Sequence, residues 1–179
     1  MDTEIFASIA GSGKAKPLAL VTVLATKGSA PRHPGSKMLV AAEDEFSGTI
    51  GGGKGELIAL RSAAEAIGKK ASTVIEVEML GAEATGPSMI CGGTNRMLVE
   101  YLGEADSFRA PYRAALELMS SGRRALLARR ITRSLRDSEV SVSLSVLNEA
   151  GEIVCGSGEG IDAKKAAAAL SKGQALLDE

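Results

Sequence analysis

The sequence predicts an α/β fold, with α+β as the alternative, in which helices flank a mixed β-sheet. Residues 17–26 form a nearly continuous apolar run rich in β-branched side chains, which is typical of a strand buried on both faces. Residues 73–80 and 140–147 alternate between apolar and polar side chains, as half-exposed strands do. Residues 54–69 carry apolar side chains at helical spacing. Length and composition predict a single domain over residues 1–179.

Local signals place the other elements along the chain. In order, we predict a helix at 2–10, strands at 17–26, 36–41 and 46–50, a helix at 54–69, strands at 73–80 and 96–101, a helix capped by Asp106 or Ser107 and ending near Gly122, strands at 125–131, 140–147 and 153–155, and a last helix capped by Asp162. The apolar stripe of helix 54–69 consists of Leu57, Leu60, Ala64 and Ile67.

Composition excludes several classes of function. The formal net charge of −1, the aromatic fraction of 3% and the absence of Trp argue against a nucleic-acid partner. A membrane partner is not expected, because the chain has no apolar run of the length that a membrane-spanning helix needs. The acidic N-terminus does not resemble a signal peptide, and two cysteines imply no disulfide framework. We therefore expect a cytoplasmic protein.

Three glycine-rich segments interrupt the regular elements. Glycine segment 1 is residues 27–35, glycine segment 2 is residues 46–56, and glycine segment 3 is residues 81–93. In segment 2 a strand leads through four glycines and Lys54 into a helix. Glycines permit positive φ and close approach of a ligand, and the first amides of a helix attract anions. The segment therefore indicates either an anion or cofactor site or a tight turn that binds nothing.

The other two segments leave similar alternatives open. Segment 1 contains polar side chains, including Arg32 and His33, on a loop stiffened by two prolines, and it is either a site or an exposed connector. Segment 3 contains Cys91 beside two glycines and just before a strand, where the thiol is either reactive or structural. A catalytic pair of His33 and Cys91 is one further alternative. Cys155 lies in a plain strand and is predicted to be a small core residue.

Familiar nucleotide and metal motifs do not fit. Segment 2 satisfies the glycine and lysine positions of a P-loop, but Gly55 occupies the position of the Ser or Thr that binds magnesium. The glycines at 156–160 do not have the spacing of a dinucleotide fingerprint. One His and two widely separated Cys do not supply a zinc site.

Together the three segments resemble the N-terminal domain of the XdhC/CoxI family. The matching residues are Gly28-Ser29-Ala30-Pro31-Arg32 leading into Gly35-Ser36-Lys37-Met38-Leu39-Val40, then Gly48-Thr49-Ile50-Gly51-Gly52-Gly53 with Glu56, and Met89-Ile90-Cys91-Gly92-Gly93. The family consists of accessory and maturation proteins for molybdenum hydroxylases such as xanthine and CO dehydrogenases. The resemblance implies that the chain binds the molybdenum cofactor, as molybdopterin or its dinucleotide form, and assists its sulfuration and insertion into such an enzyme.

The resemblance also implies a set of site residues. The cofactor-binding residues would be Ser29, Arg32, Lys37, Gly51, Gly52, Gly53, Glu56, Cys91, Gly92 and Gly93. Within this set, Gly51–Gly53 would receive a phosphate, Arg32 and Lys37 would pair with negative charge, and Cys91 would contact molybdenum or hold a transferable sulfur. No catalytic residue is expected apart from this candidate thiol, because a cofactor carrier need not accelerate a reaction.

Two departures from the family pattern shape the remaining expectations. Many members carry a C-terminal Rossmann domain, which this sequence lacks, so we expect a separate Rossmann-domain protein or sulfur donor as a partner besides the hydroxylase. Lys54-Gly55 stands where a small or apolar pair is expected. The resemblance also implies a homodimer. The alternatives are a sulfur- or nucleotide-transferring enzyme that uses Cys91, and a regulatory or scaffold domain without a ligand.

Overall fold

The structure is a computed structural model and describes residues 2–11, 16–28, 33–42, 45–79, 93–133 and 139–172. The elements are α1 (Asp2–Gly11), β1 (Leu18–Lys27), β2 (Lys37–Ala42), β3 (Glu45–Gly48), α2 (Gly53–Lys69), β4 (Ser72–Met79), β5 (Gly93–Leu102), a 3₁₀ turn (Asp106–Phe108), α3 (Ala110–Ser120), β6 (Leu126–Arg133), β7 (Glu139–Leu147), β8 (Ile153–Cys155) and α4 (Ala163–Lys172). They form two compact units: the sheet unit, Pro17–Leu102, and the terminal unit, Met1–Lys16 with Gly103–Glu179.

The sheet unit contains five antiparallel strands in the order β3-β2-β1-β5-β4. β1 lies at the centre, with Val21 opposite Met38 of β2 and Val99 of β5. Its first six residues are buried, as the continuous apolar run predicts. The register shifts between Val23 and Ala25, which marks a bulge near the end of β1. β2 and β3, both predicted as strands, pair antiparallel.

α2 packs against the sheet and forms the core of this unit. The buried side chains of the core are Ala19, Val21, Val23, Met38, Val40, Ile50, Ala59, Leu60, Ala63, Ala66, Val77, Met97 and Val99. The helix buries small residues at Ala59, Ala63 and Ala66, which lets its backbone approach the strands closely. The predicted stripe was wrong at Leu57, which is 48% exposed. The face of α2 that contacts the sheet is the one that carries the alanines, because small side chains allow the closest packing.

The ends of α2 also differ in detail from the prediction. The helix begins at Gly53, and Gly52 is its N-cap without a side-chain hydrogen bond. Gly68 lies within the helix and does not end it. Lys70 instead takes the left-handed conformation, with φ 55°, and its amide hydrogen-bonds to the carbonyls of Ala66 and Ile67.

In the terminal unit, α1 and α3 pack together through aromatic rings. The centroids of Phe6 and Tyr112 are 5.5 Å apart. Buried Arg109 precedes α3, and its guanidinium donates to the carbonyls of Gly103 at 2.7 Å and Lys16 at 3.3 Å. The prediction that Asp106 or Ser107 caps this helix was wrong, because both lie in the separate 3₁₀ turn and Arg109 is the N-cap of α3.

The strands of the terminal unit form the antiparallel group β6-β7-β8. Ala115 and Leu118 of α3 pack with Val146, and Cys155 lies partly buried against this cluster, as predicted for a small core residue. Asp162 caps α4 as predicted, since its Oδ1 accepts from the amides of Lys164 and Lys165, at 2.9 and 3.2 Å.

The predicted fold class is confirmed, because helices pack against β-sheet in the arrangement that the periodicities indicate. The strand pairs described above are antiparallel, which corresponds to the α+β alternative. The assignment of residues 1–179 to a single domain stays a prediction, since two compact units do not by themselves define two domains.

Candidate functional site

The elements that flank all three glycine segments meet at one end of the sheet unit. β1 runs toward this end, where Lys27 pairs with Thr94 near the start of β5. β2 begins at the same end, with Lys37 opposite Thr22, and β4 ends there beside the start of β5. The loop at residues 49–52 leads from β3 into α2 at this end, and the amide of its first residue donates to the carbonyl of Lys37 at 3.1 Å. Antiparallel pairing therefore brings the elements that flank the three segments to one end of the sheet.

A carboxylate oxygen organises the loop of glycine segment 2. Oε2 of Glu56 accepts a hydrogen bond from the hydroxyl of Thr49 at 2.6 Å. The same oxygen accepts from the backbone amides of Ile50 at 3.2 Å and Gly52 at 3.1 Å. The Thr49 hydroxyl in turn accepts from the amide of Gly51 at 3.1 Å. Because Glu56 lies in the first turn of α2, the positive end of the helix dipole also stabilises its charge.

This bonding explains which amides of the loop remain for a ligand. Those of Ile50 and Gly52 already donate to the chain's own carboxylate, which takes the position that an external anion would take in an anion-binding loop. Ile50 also has its side chain in the core of the sheet unit. The loop at residues 49–52 is thus a rigid turn fixed from two sides, and the amides of Gly53 and Lys54 begin the helix beyond it.

The backbone of segment 2 requires glycine. The φ angles of Gly51, Gly52 and Gly53 are 130°, 75° and 65°. L-residues rarely adopt these values. Within the described part of the chain, no atom lies within 4 Å of where a Cβ would sit on Gly52 or Gly53. The loop therefore presents bare backbone beside open space at the start of α2.

Lys37 lies beside this loop at the start of β2. Its Nζ donates to the carbonyl of Gly35 at 2.8 Å, and the side chain is partly buried. The amide of Gly35 donates to the carbonyl of Val23 at 2.8 Å, so the end of segment 1 is tied to β1. The Ser36 hydroxyl donates to the carbonyl of His33 at 2.8 Å, which closes the turn. A cation therefore lies at the start of β2, at this end of the sheet.

Asn95 is a residue at this end that the sequence reading missed. It lies in β5, is fully buried, and neither its Oδ1 nor its Nδ2 has a hydrogen-bond partner within the described structure. Within the described structure, the other buried side chain with an unpartnered polar atom is Thr22, whose hydroxyl also lacks a hydrogen-bond partner. Asn is depleted in strands. The signal in the sequence was an Asn placed two residues before the apolar run that begins at Met97.

Several predicted site residues lie outside the described residues: Ser29, Arg32, Cys91 and Gly92. Of the third segment only Gly93 is described, as the buried first residue of β5. In the described ranges, no group of three His, Cys, Asp or Glu side chains has the arrangement of a metal site. The helices of those ranges are also too short or too polar to span a membrane.

Comparison with known proteins finds a similarity to one family. The XdhC and CoxI family model matches residues 13–78, which include segments 1 and 2 and exclude segment 3. Among solved structures, the chain is similar to a protein described as a xanthine dehydrogenase from Bacillus halodurans, with a TM-score of 0.67 and 18% sequence identity. The similarity covers 89% of this chain and 46% of that chain, so this chain spans less than half of that protein's length. At this identity the likeness concerns the fold.

No curated protein sequence matches the chain. The family match contains β1, β2, β3 and α2, together with most of β4, which build the site described above together with β5, an element outside the match. The resemblance found from the motifs is therefore confirmed over residues 13–78, which match the XdhC and CoxI family model.

Proposed function

We propose that this chain is an accessory protein that binds the molybdenum cofactor and assists its sulfuration and insertion into a hydroxylase of the xanthine or CO dehydrogenase type. The family match supports an association with molybdenum hydroxylases. The observation that carries the proposal is that the elements flanking all three glycine segments meet at one end of the sheet unit. A small anionic ligand with a large ring system needs contacts from several loops at once.

The residues at this end fit the phosphate of such a cofactor. Molybdopterin ends in a phosphate, and its dinucleotide form extends from that phosphate. Lys37, which pairs with Thr22 and so leaves β2 on the face away from α2, supplies a positive charge at this end of the sheet, and the first turn of α2 supplies amides with the positive end of a dipole on the other face. The Glu56 carboxylate already accepts hydrogen bonds from the amides of Ile50 and Gly52, so Glu56 would fix the conformation of the loop and would not contact the phosphate. Gly53 and exposed Lys54 would then contact the phosphate.

The remaining assignments come from the sequence resemblance. Ser29 and Arg32 would add a donor and a charge from segment 1, and Cys91 with Gly92 would approach the metal end of the cofactor. The cofactor supplies the molybdenum centre that the target enzyme uses. This chain's own residues bind and orient it and shield it from oxygen, so we propose no catalytic step for the chain itself.

The proposal includes partners and a location. The chain would act in the cytoplasm as a homodimer that docks on a molybdenum hydroxylase, and a separate Rossmann-domain protein or sulfur donor would complete the maturation step. The rival functions are a Cys91-dependent sulfur- or nucleotide-transferring enzyme and a scaffold without ligand.

An activation assay separates these functions. A cofactor-free molybdenum hydroxylase is incubated anaerobically with purified chain and molybdopterin, and activity is compared with that of cofactor alone. We expect activation to require the chain in stoichiometric amounts and to fall strongly for Cys91→Ser. Full activation by Cys91→Ser would remove the thiol from the proposal. Turnover of a sulfur donor or nucleotide by catalytic amounts of the chain would favour the enzyme, and no effect of the chain would favour the scaffold.

A further inference from the structure

We propose that the side-chain amide of Asn95 binds the hydrogen-bonding edge of a heterocyclic amide in the ligand, such as the lactam edge of the pterin ring. This inference rests on the proposed cofactor-binding function and names the part of the cofactor that the sheet itself would recognise. Nothing in the family motifs includes this residue, because it lies two positions beyond the last glycine of segment 3.

The burial of Asn95 makes its lack of partners significant. The side chain is completely buried, and both the donor and the acceptor are unpartnered in the described structure. Burying an amide without hydrogen bonds is unfavourable. Most buried polar side chains in folded proteins have partners. A buried amide that has no partner among the described residues, at the end of the sheet where the elements flanking the segments meet, is therefore a candidate for a bond to a ligand.

The orientation of Asn95 follows from the strand pattern. Side chains two positions apart share a face of a strand, so Asn95 lies on the same face as Met97. Met97 belongs to the core beneath α2, and so does Val77, which pairs with Asn95 across β4. The amide is therefore on the α2 face of the sheet. The next residue on that face toward the end of the sheet is Gly93, which has no side chain to block an approach.

The chemistry of the side chain defines what it would bind. An Asn amide presents one acceptor and one donor group side by side in a plane. It therefore pairs in bidentate fashion with a ring edge that carries an adjacent donor and acceptor, as Asn does with the edge of adenine. The pterin ring carries such an edge, and so does the base of the dinucleotide form. Recognition by Asn95 would select for the ring, whereas Lys37 and the start of α2 would select for charge.

Replacement of Asn95 by Val tests this role with two readouts. In the ligand-free protein the substitution removes an unsatisfied amide from a strand, so we expect the melting temperature to rise by about 2–6 °C. Its affinity for molybdopterin, followed anaerobically by pterin fluorescence, should fall roughly tenfold to a hundredfold. Where Val does not fold, Asn95→Ala tests the affinity without filling the site.

Thr22→Val is the matched control. Thr22 is the other buried side chain of the described structure with an unpartnered atom, but it lies on β1 next to Val21 and Val23 and therefore on the opposite face from α2. We expect this variant to gain thermal stability as well and to retain full affinity for molybdopterin. Gain of stability with loss of binding in the Asn95 variant alone would support a ligand role.

The outcomes distinguish this inference from the proposed function. If the wild-type chain binds no molybdopterin, the proposed function fails. If the wild type binds and Asn95→Val binds equally well, the inference alone is overturned. A lower melting temperature of ligand-free Asn95→Val, or of Asn95→Ala with unchanged affinity, would assign the amide a structural role. Competition by guanosine or cytidine monophosphate, lost in the variant, would identify the base as the ring recognised; competition by neopterin alone would identify the pterin.

Discussion

Glu56 is the residue on which the shape of the candidate site depends most. Its carboxylate joins the side chain of Thr49 and two backbone amides of segment 2 to the first turn of α2. Charge-assisted hydrogen bonds of this kind are stronger than neutral ones. The sequence reading grouped Glu56 with the cofactor-binding residues, and the geometry gives it a physical task within the protein. That task does not require the ligand.

Glu56→Ala should therefore destabilise the ligand-free chain. Removing the carboxylate leaves two amides and a hydroxyl without their acceptor, which costs about 1–3 kcal/mol in the free energy of unfolding measured by urea denaturation. Glu65→Ala is the matched control on the same helix, since Glu65 makes only an exposed salt bridge with Lys69. We expect that control to change stability by less than about 0.5 kcal/mol. Equal effects of the two changes would contradict the organising role of Glu56.

A second residue-scale prediction concerns Asp106 and Arg113 in the terminal unit. The guanidinium of Arg113 donates to the Asp106 carboxylate at 2.7 Å and holds the pKa of Asp106 below its ordinary value. A lowered carboxyl pKa contributes stability above the unfolded pKa, and this contribution is lost as pH falls through the folded pKa, below about pH 4. Because the pair is exposed, its contribution is small.

Arg113→Gln should raise the pKa of Asp106 toward its ordinary value, as NMR titration of the carboxyl resonance would measure. Arg130→Gln is the control, because it breaks a comparable exposed pair with Glu159 and leaves Asp106 untouched. An unchanged Asp106 titration in Arg113→Gln would show that the hydrogen bond does not form in solution.

At the scale of elements, the entry into α2 depends on backbone conformation. Gly52 has φ 75° and ψ −174°, a region that only glycine adopts readily. Ala at this position is strained even though no described atom lies within 4 Å of the added Cβ. Gly68 differs, because it is helical and equally open.

Substitution by Ala at these two positions should therefore change the free energy of unfolding in opposite directions. Gly52→Ala should lower the free energy of unfolding by about 1–3 kcal/mol. Gly68→Ala should raise it by about 0.5–1 kcal/mol, since Ala favours a helix interior. Thermal or urea unfolding of the two variants measures both. If Gly52→Ala were neutral or stabilising, the loop would not have the conformation described.

The types of the helices and strands were predictable from the sequence. The residues at which they end, and the face that each helix buries, were less predictable. The apolar run of β1 and the alternation of β4 and β7 predicted their strands because burial on one or two faces leaves a direct periodicity. The buried face of α2 was not predictable from hydrophobicity. Alanines pack closest to the sheet, and Leu57 is left exposed. Lys70 ends the helix in a conformation usually taken by glycine, which no residue-type rule indicates.

At the scale of the molecule, the site depends on strand pairing. The motifs predicted three segments of one pocket, and the order β3-β2-β1-β5-β4 gives the physical reason that their flanking elements share an end. Pairing between β1 and β5 joins residues about 80 positions apart, such as Val21 and Val99, and local sequence patterns contain no information on it. For the same reason the position of Asn95 among buried strands could only be found in the folded chain.

The central claim is that the folded chain holds the molybdenum cofactor in this site. Its most direct measurement is the ratio of pterin to protein after the purified chain is mixed anaerobically with excess molybdopterin and passed through gel filtration. Pterin is quantified by fluorescence after oxidation. We expect about one pterin retained per chain for the wild type and a large loss in Lys37→Ala combined with Asn95→Val. Retention no higher than that of an unrelated protein, with the chain still folded, would contradict it.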